Sequence, residues 1–244
     1  MSFFNSFGRK IGRYSRLKKS SIGTYAQGSQ QDSRKLFLCQ PFIKTALVKG
    51  NFATIVALPK YIDLNEWLAL NGTKKMLYNP NITGRDADVF EFFTYLNQFY
   101  GVFAEFCTPQ NCSSMSAGTN VNYMWFDNNR KQIQLPAPQY IDYVLAWVNN
   151  RLSDENTFPT KAGHAFPPNF FVIVKSMYKQ LFRVFAHIYH SHFDQILHLS
   201  LEAHWNSFFA HFISFGKEFE LLDKYDIDPL RDLIDLMIKI GIIA

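Results

Sequence analysis

Apolar and polar positions change their spacing several times along this chain, and each change marks an element. Residues 1–35 show no sustained apolar period and are rich in Ser, Gly and Gln, a composition that cannot bury enough surface to fold. Apolar residues begin in LFLCQPFIKTALVKGNFATIVALP (36–59), but Pro and Gly interrupt them, which predicts an extended, wrapping segment with short turns. Asp63 with Glu66 three positions on forms a capping box that opens a short helix carrying Trp67. VFEFFTYLNQFYGVFAEF (89–106) is dense in aromatics and long enough for a buried helix. NYMWFDNNRKQIQL (122–135) reads as a hairpin turning at Asp127-Asn128-Asn129. A further helix is predicted over 138–152, and FPTKAGHAFPPN (158–169) is a Pro/Gly loop. Over 169–192, Phe171, Val174, Tyr178, Leu181, Phe185, Tyr189 and His192 recur at three- and four-residue steps, an amphipathic helical period. Helices over about 194–220 and 227–240 complete the pattern. There is no internal repeat and no strand–helix alternation, so the fold class is mostly α.

Composition adds a core but no scaffold of disulfides. The 244 residues suffice for one large domain or two small ones; 48% are hydrophobic, and 25 Phe and 12 Tyr supply much of the packing volume. Three cysteines, an odd number, imply no disulfide framework and point to a reducing, cytoplasmic setting. No uninterrupted apolar run approaches the ~18 residues of a membrane span. The start, MSFFNSFGRKIGR, lacks the apolar stretch and small cleavage residues of a signal peptide.

The formal charge of +5 is unevenly distributed. Residues 1–35 hold Arg9, Lys10, Arg13, Arg16, Lys18, Lys19, Arg34 and Lys35 against Asp32 alone, a net +7, which leaves −2 on the rest (+5 less +7). The basicity therefore belongs to a disordered tail, either solvated or in contact with anionic lipid, nucleic acid or an acidic partner. Ser15, Ser20 and Ser21 stand among these charges, where phosphorylation would reverse the local sign. Deleting residues 1–35 is expected to leave the cooperative melting transition nearly intact; a collapse of that transition would contradict this reading.

Candidate chemistry is confined to one constellation. Cys107-x4-Cys112 and His187-x4-His192 have spacings suited to Zn²⁺, which favours thiolate and imidazole in a tetrahedral shell. The halves are too far apart for a finger, so a metal would clamp a loop onto a distant helix. On a regular helix His187 and His190 lie closer to one face than His187 and His192, which differ by about 140°. By spacing alone the alternative of two reduced thiols and a histidine-rich helix stays open. Four protein ligands would close the shell and make the site structural, whereas a catalytic zinc keeps a position open. The chain has no Gly-rich phosphate loop, GxSxG elbow, HExxH, or HxE…PCxxC pattern. A zinc-dependent hydrolase is thus a remote alternative, and no small-molecule substrate or nucleic-acid reader motif is indicated.

Six stretches carry a resemblance: LPKYIDLNEWLALN, FCTPQNCSSMSAG, LPAPQYIDYVLAWV, FPTKAG, FRVFAHIYHSHFD and SLEAHWNSFFAHFISFGKEF. In order and character they resemble the Mob (phocein) family of kinase coactivators, and with KTALVKGNF they are most similar to its fungal type-two branch. The likeness spans roughly 36–240. It implies one domain over 36–244, a four-helix-bundle core with a small β-hairpin, and a structural zinc. It also implies a non-catalytic role: binding the N-terminal regulatory region of an NDR/LATS-type AGC kinase in cell polarity and morphogenesis. The implied locations are the cytoplasm, the cell cortex or sites of polarised growth, and the nucleus.

The resemblance carries the metal ligands onto Cys107, Cys112, His187 and His192, provided the helix ends or bends near His192; His190 becomes a packed or surface neighbour. Some members similar to this chain lack the cysteine pair. The kinase contacts map onto Leu47, Asp63, Glu66, Trp67, Leu199 and His211. A further acidic position of the family is Ile62 here, which weakens the electrostatic part. Lys175, Lys179 and Arg183 form a basic stripe at four-residue steps. In the related first branch a pocket on this helix binds phosphopeptides, so a phosphopeptide scaffold of a Hippo-like pathway is the alternative function. Lys179 and Arg183 match that pocket, but its third cation is Gln180 here.

One segment departs from the family. GTKKMLYNPNITGRDAD (72–88) is inserted where members run directly into VFEFF; Gly72, Pro80 and Gly84 favour a surface loop, and Asp88 with Glu91 can still start the next helix. A lineage-specific loop and a short in-frame intron left in the gene model are both consistent with it, and sequencing the transcript decides between them.

Overall fold

A computed structural model describes residues 35–46, 88–127, 129–159 and 165–243, with residues 88–91 described for their backbone alone. Six helices are seen among them: α1 (Asp88–Phe103), α2 (Ala137–Leu152), α3 (Phe170–Ser191), α4 (Phe193–His198), α5 (Glu202–Glu218) and α6 (Arg231–Lys239). Two short strands, β1 (Trp125–Phe126) and β2 (Gln132–Ile133), pair antiparallel with Trp125 opposite Ile133. The basic tail, the Asp63 helix and the 72–87 portion of the insertion lie outside the described residues.

Helices α3 and α5 form the centre, and their sequences explain why. Every residue from Val184 to Tyr189 and from Trp205 to Gly216 is buried, so these stretches are covered all round rather than along one stripe. Their aromatic rings interlock: Tyr178 stacks on Phe212 with centroids 4.0 Å apart, and Phe185 meets Trp205 at 4.9 Å. Helix α1 closes one side through Phe92 against Phe212 (5.3 Å) and Phe99 against Trp205 (5.0 Å). Helix α2 packs beside α1 and α3, with Tyr140, Ile141, Val144 and Val148 fully buried at helical spacing. Gly216 permits the close approach of α3 to α5, since a Cβ there would stand 2.9 Å from the Tyr178 ring. Ser207 and Ser214, buried in α5, donate to the carbonyls four residues back, so their hydroxyls carry little penalty.

The helix expected over 194–220 is interrupted. Helix α4 ends in a Schellman motif: Ser200 N–H donates to Leu197 O, Leu201 N–H to Ile196 O, and Ser200 takes φ +53°. The same motif ends α5 at Glu220 (φ +52°) and α6 at Gly241 (φ +74°). The predicted hairpin is present, pinned by the Asp127 carboxylate, which accepts from the N–H groups of Asn129 and Lys131, both at 2.8 Å.

The described part of the wrapping segment, 35–46, crosses the bundle as two 3-10 turns, Leu36–Leu38 and Phe42–Lys44. Phe37 inserts its ring against Tyr189 and Phe193, and Ile43 is 1% exposed.

Candidate metal centre

The cysteine loop starts where α1 stops. Cys107 N–H donates to Phe103 O and Cys112 N–H to Thr108 O, so the backbone turns twice within the ten residues from Phe103 to Cys112. Asn111 reinforces the turn through its side-chain amide on Phe106 O. Ala137 N–H then donates to Cys112 O, tying the loop to the start of α2. On the far side, α3 ends at Ser191, and His192 takes φ −133°, ψ 15° before α4 begins. That break swings the His192 ring to the side of His187, and the two rings lie 5.2 Å apart. The bend that the ligand assignment requires is therefore present.

Loop and helix meet face to face. His187 Nε2 lies 3.5 Å from Cys107 Sγ, and His192 Nε2 lies 3.4 Å from Cys112 Sγ. All four ligand atoms fall within 4.8 Å of one another, and all four residues are buried. Zinc legs of about 2.3 Å to sulfur and 2.0 Å to nitrogen, at tetrahedral angles, separate S and N by about 3.5 Å. The residues therefore fit the ion, and this group could hold a metal. His187 Nδ1 is 2.8 Å from Ser116 O, which fixes the tautomer with Nδ1–H donating and the Nε2 lone pair facing the cysteines.

The electrostatics agree with this geometry. Burial, then the neighbouring Cys112, pushes the Cys107 thiol up to about 12. Burial likewise raises Cys112. Burial, then His187, lowers His192 to about 4, and burial also lowers His187. Every group is thus driven toward its neutral form by a site that disfavours net charge. A dication with two thiolates and two neutral imidazoles carries no net charge, which suits such a site.

His190 is no ligand in this arrangement. Its Nε2 is 2.9 Å from Pro229 O and its ring stands edge-on to Phe37. Two further contributors had gone unread. Tyr100, in α1 seven residues before Cys107, interacts with the Cys107 thiol and partly offsets its upward shift; Cys107 lies beyond the end of α1, so no helical period linked the two. The Ser116 carbonyl left no signal, because any residue supplies a backbone carbonyl. An open groove of about 380 Å³ adjoins the site, lined in part by Asn111, Ser113, Ser114, Ser191 and Gln195. Among the described residues no carboxylate lines it.

The other predicted site residues separate into three groups. Leu47, Asp63, Glu66 and Trp67 lie outside the described residues. Leu199 is partly buried at the end of α4, packed against the core, and His211 is 5% exposed with its ring 5.0 Å from Phe92. The basic stripe is already engaged. Lys175 and Lys179 contact the Asp223 carboxylate at 2.8 and 2.7 Å, and Lys179 also reaches Asp226 at 3.0 Å. Arg183 donates to the Tyr140 hydroxyl at 2.7 Å and lies over the Tyr123 ring, while Tyr140 donates to Gln180.

Fold and site together define a helical domain with a small hairpin and a buried Cys2His2 cluster built from one loop and one helix end. The chain belongs to the Mob1/phocein family, whose model matches residues 44–230. It is 57% identical over 223 residues to "Maintenance of ploidy protein mob2" of Schizosaccharomyces pombe, covering 91% of this chain and 84% of that protein. It is 52% identical over 229 residues to "CBK1 kinase activator protein MOB2" of Candida albicans, covering 94% and 68%. The Saccharomyces cerevisiae protein of the same name is 52% identical over 216 residues, covering 88% and 69%. No described helix is long and apolar enough to cross a membrane.

Proposed function

We propose that this protein is a kinase activator that binds the N-terminal regulatory region of an NDR/LATS-type kinase and performs no chemistry itself. The observation that carries this is the identity of 52% across most of the chain to two proteins named activators of the CBK1 kinase. Within this reading the domain runs from 36 to 244, with the basic tail before it and the 72–88 insertion beside the Asp63 helix. Leu47, Asp63, Glu66 and Trp67 form the contact surface with Leu199. His211, being buried, acts through the packing of Phe92. The protein works inside the cell, where its thiols stay reduced. Zinc at Cys107, Cys112, His187 and His192 is structural, holding the cysteine loop to the end of α3. A pull-down with an NDR-type kinase N-terminal fragment tests the proposal: retention of the fragment is expected, and its absence overturns the assignment.

The phosphopeptide reading finds less support. A phosphate would have to displace Asp223 and Asp226 from Lys175 and Lys179, and Arg183 from Tyr140. These lysines instead clamp the turn after α5. Lys175, then Lys179, holds the Asp223 carboxyl down to about 2. A depressed carboxyl pKa stabilises the fold above the ordinary carboxylate range and loses that contribution as pH falls toward 2. Because the pairs are exposed, Asp223→Asn with Asp226→Asn is expected to lower the melting temperature only slightly at neutral pH, and less still in high salt. Thermal melts at two salt concentrations check this. A large, salt-independent fall would show that the turn is held by something other than these charges.

A further inference from the structure

The two cysteines of the metal centre face different surroundings. Cys112 lines the open groove beside the site, at 8% exposure, along with Asn111, Ser113, Ser191 and Gln195. Cys107 is 2% exposed and does not line that groove. A small polar molecule entering from solvent therefore meets the Cys112 sulfur first, among hydroxyls and amides that can hydrogen-bond it. The Cys107 sulfur stands behind it, no more than 4.8 Å away.

The local chain allows these sulfurs to close. Both cysteines stand between α1 and α2, outside helix and strand. Four residues separate them, so joining them pulls no distant elements together. A disulfide brings its sulfurs to about 2.05 Å, which leaves at most about 3 Å to travel. The imidazoles stay where the helix holds them: His187 within α3, its Nδ1 on Ser116 O, and His192 at the helix end. Joining the cysteines thus removes half of the ligand set at once, and two imidazoles alone do not complete a tetrahedral shell. Cys39, the third cysteine, lies outside the group, with its sulfur 3.8 Å from Lys35 O. Cys107 is therefore the thiol placed to react with an oxidised Cys112.

We propose that Cys107 and Cys112 are a peroxide-oxidised pair: Cys112 reacts with hydrogen peroxide arriving through the groove, and Cys107 closes a disulfide that expels the zinc. This modification site rests on the zinc reading of the four residues and is independent of kinase binding. In the first step the Cys112 thiolate attacks one peroxide oxygen. The O–O bond breaks, the sulfur becomes a sulfenic acid and hydroxide leaves. In the second the Cys107 thiolate attacks that sulfur; the S–S bond forms, the S–O bond breaks and a second hydroxide leaves. Two protons from solvent convert both hydroxides to water. In sum two thiolates, one hydrogen peroxide and two protons give one disulfide and two waters. The sulfurs are oxidised, the peroxide is reduced, and zinc departs as the dication it was.

Metal-replete full-length protein treated with hydrogen peroxide tests this. Zinc release is followed with a chromogenic chelator, and bonded residues are mapped by mass spectrometry after free thiols are blocked. Release of about one zinc per chain is expected in step with a Cys107–Cys112 disulfide. Dithiothreitol with added zinc should reverse both. Cys39, partly exposed and outside the metal group, serves as the clock for general oxidation. Each serine variant removes one ligand, so the remaining thiols can be compared directly. Cys112 in Cys107→Ser should oxidise at least about tenfold faster than Cys107 in Cys112→Ser, because access differs. If either variant does not fold, trapping the sulfenic acid with dimedone in wild type reads the same order, with the adduct expected on Cys112. Zinc and both thiols retained after Cys39 has been oxidised overturn the proposal. Zinc loss with sulfinic acid, or with a disulfide to Cys39, overturns the pairing. Equal rates at the two cysteines, or an adduct on Cys107, overturn the groove as the entry. If metal-replete wild type carries no zinc, the zinc reading fails and the expulsion with it, while the mapping still decides whether the two cysteines pair.

Discussion

Cys107→Ser is expected to release the metal and lower the melting temperature by about 8–16 °C, with the helical far-UV spectrum retained below the transition. Serine nearly preserves the side-chain volume at this buried position, so the change isolates ligation from packing. The magnitude follows from mass action. Zinc present at about a thousandfold over its dissociation constant stabilises the native state by about 4 kcal/mol. A domain of this size shifts by about 2–4 °C per kcal/mol. Structural zinc contributes on the order of 10 kcal/mol or more in small finger peptides. Here α1, α2, α3 and α5 share an aromatic core far larger than that of a finger peptide, so the protein is expected to lose stability but not its fold. One zinc per chain in metal-replete protein, and none in the variant, is the accompanying measurement. Metal-replete wild type without zinc would refute the site.

Zinc uptake should also depend on pH in a defined direction. The metal-free thiols are protonated through neutrality, since burial holds Cys107 near 12 and raises Cys112. Burial keeps the imidazoles neutral, His192 down to about 4. Binding therefore releases two protons, both from sulfur. Apparent affinity is expected to rise about a hundredfold per pH unit between about pH 5 and 8, one decade for each thiol displaced. A competition titration with a chelator of known proton linkage measures the slope. A slope near zero would mean that the cysteines do not ligate.

The sequence pattern exposed the helices whose faces differ and concealed the places where backbone conformation decides. Helix α3 was readable because Val174, Tyr178, Leu181, Phe185 and Tyr189 keep the period of one face. The breaks were not equally readable. Gly241 adopts the left-handed conformation that ends α6, and glycine advertises that conformation. Ser200 and Glu220 adopt it as well, with nothing in their side chains to announce it. The expected 194–220 helix therefore ran through Ser200 unbroken, because tertiary packing of Leu201 and Trp205 sets the break. The four metal ligands were legible as residue types, but not as a closed set. The resemblance chose His192 over His190, and the reason appears only in three dimensions, where α3 ends at Ser191 and His190 turns to Pro229. The basic stripe shows the opposite failure. Lys175, Lys179 and Arg183 read as an open cationic face, yet Asp223 and Asp226 meet the two lysines from 44 to 48 residues away and Tyr140 meets Arg183 from 43, distances no local pattern spans.

Reversing two charges, Asp63→Lys with Glu66→Lys, is expected to weaken binding of an NDR-type kinase N-terminal fragment by about 30-fold or more at low salt, and by much less at high salt. Both carboxylates stand four residues or fewer before Trp67, at the start of the capped helix that the sequence predicts. In the proposed complex they face basic side chains of the kinase while Trp67, Leu47 and Leu199 supply apolar contact. Attraction between exposed charges acts mainly on the association rate and is screened beyond about 10 Å at 0.1 M salt. Turning attraction into repulsion at two positions therefore carries a salt signature that loss of apolar contact does not. Truncating an interface anchor can cost about 2 kcal/mol or more, roughly 30-fold, at any salt. Trp67→Ala is the poorer probe, because it also threatens the helix that presents the carboxylates. In the proposed complex, Ile62 takes the place that the resemblance gives to an acid, so binding would rest on two carboxylates. Ile62→Glu should accordingly tighten binding at low salt. The melting temperature of the double variant should fall by only a few degrees, since losing one helix cap costs about 1 kcal/mol and a domain of this size shifts by about 2–4 °C per kcal/mol. Wild-type affinity in the double variant at low salt would show that the kinase engages a different surface.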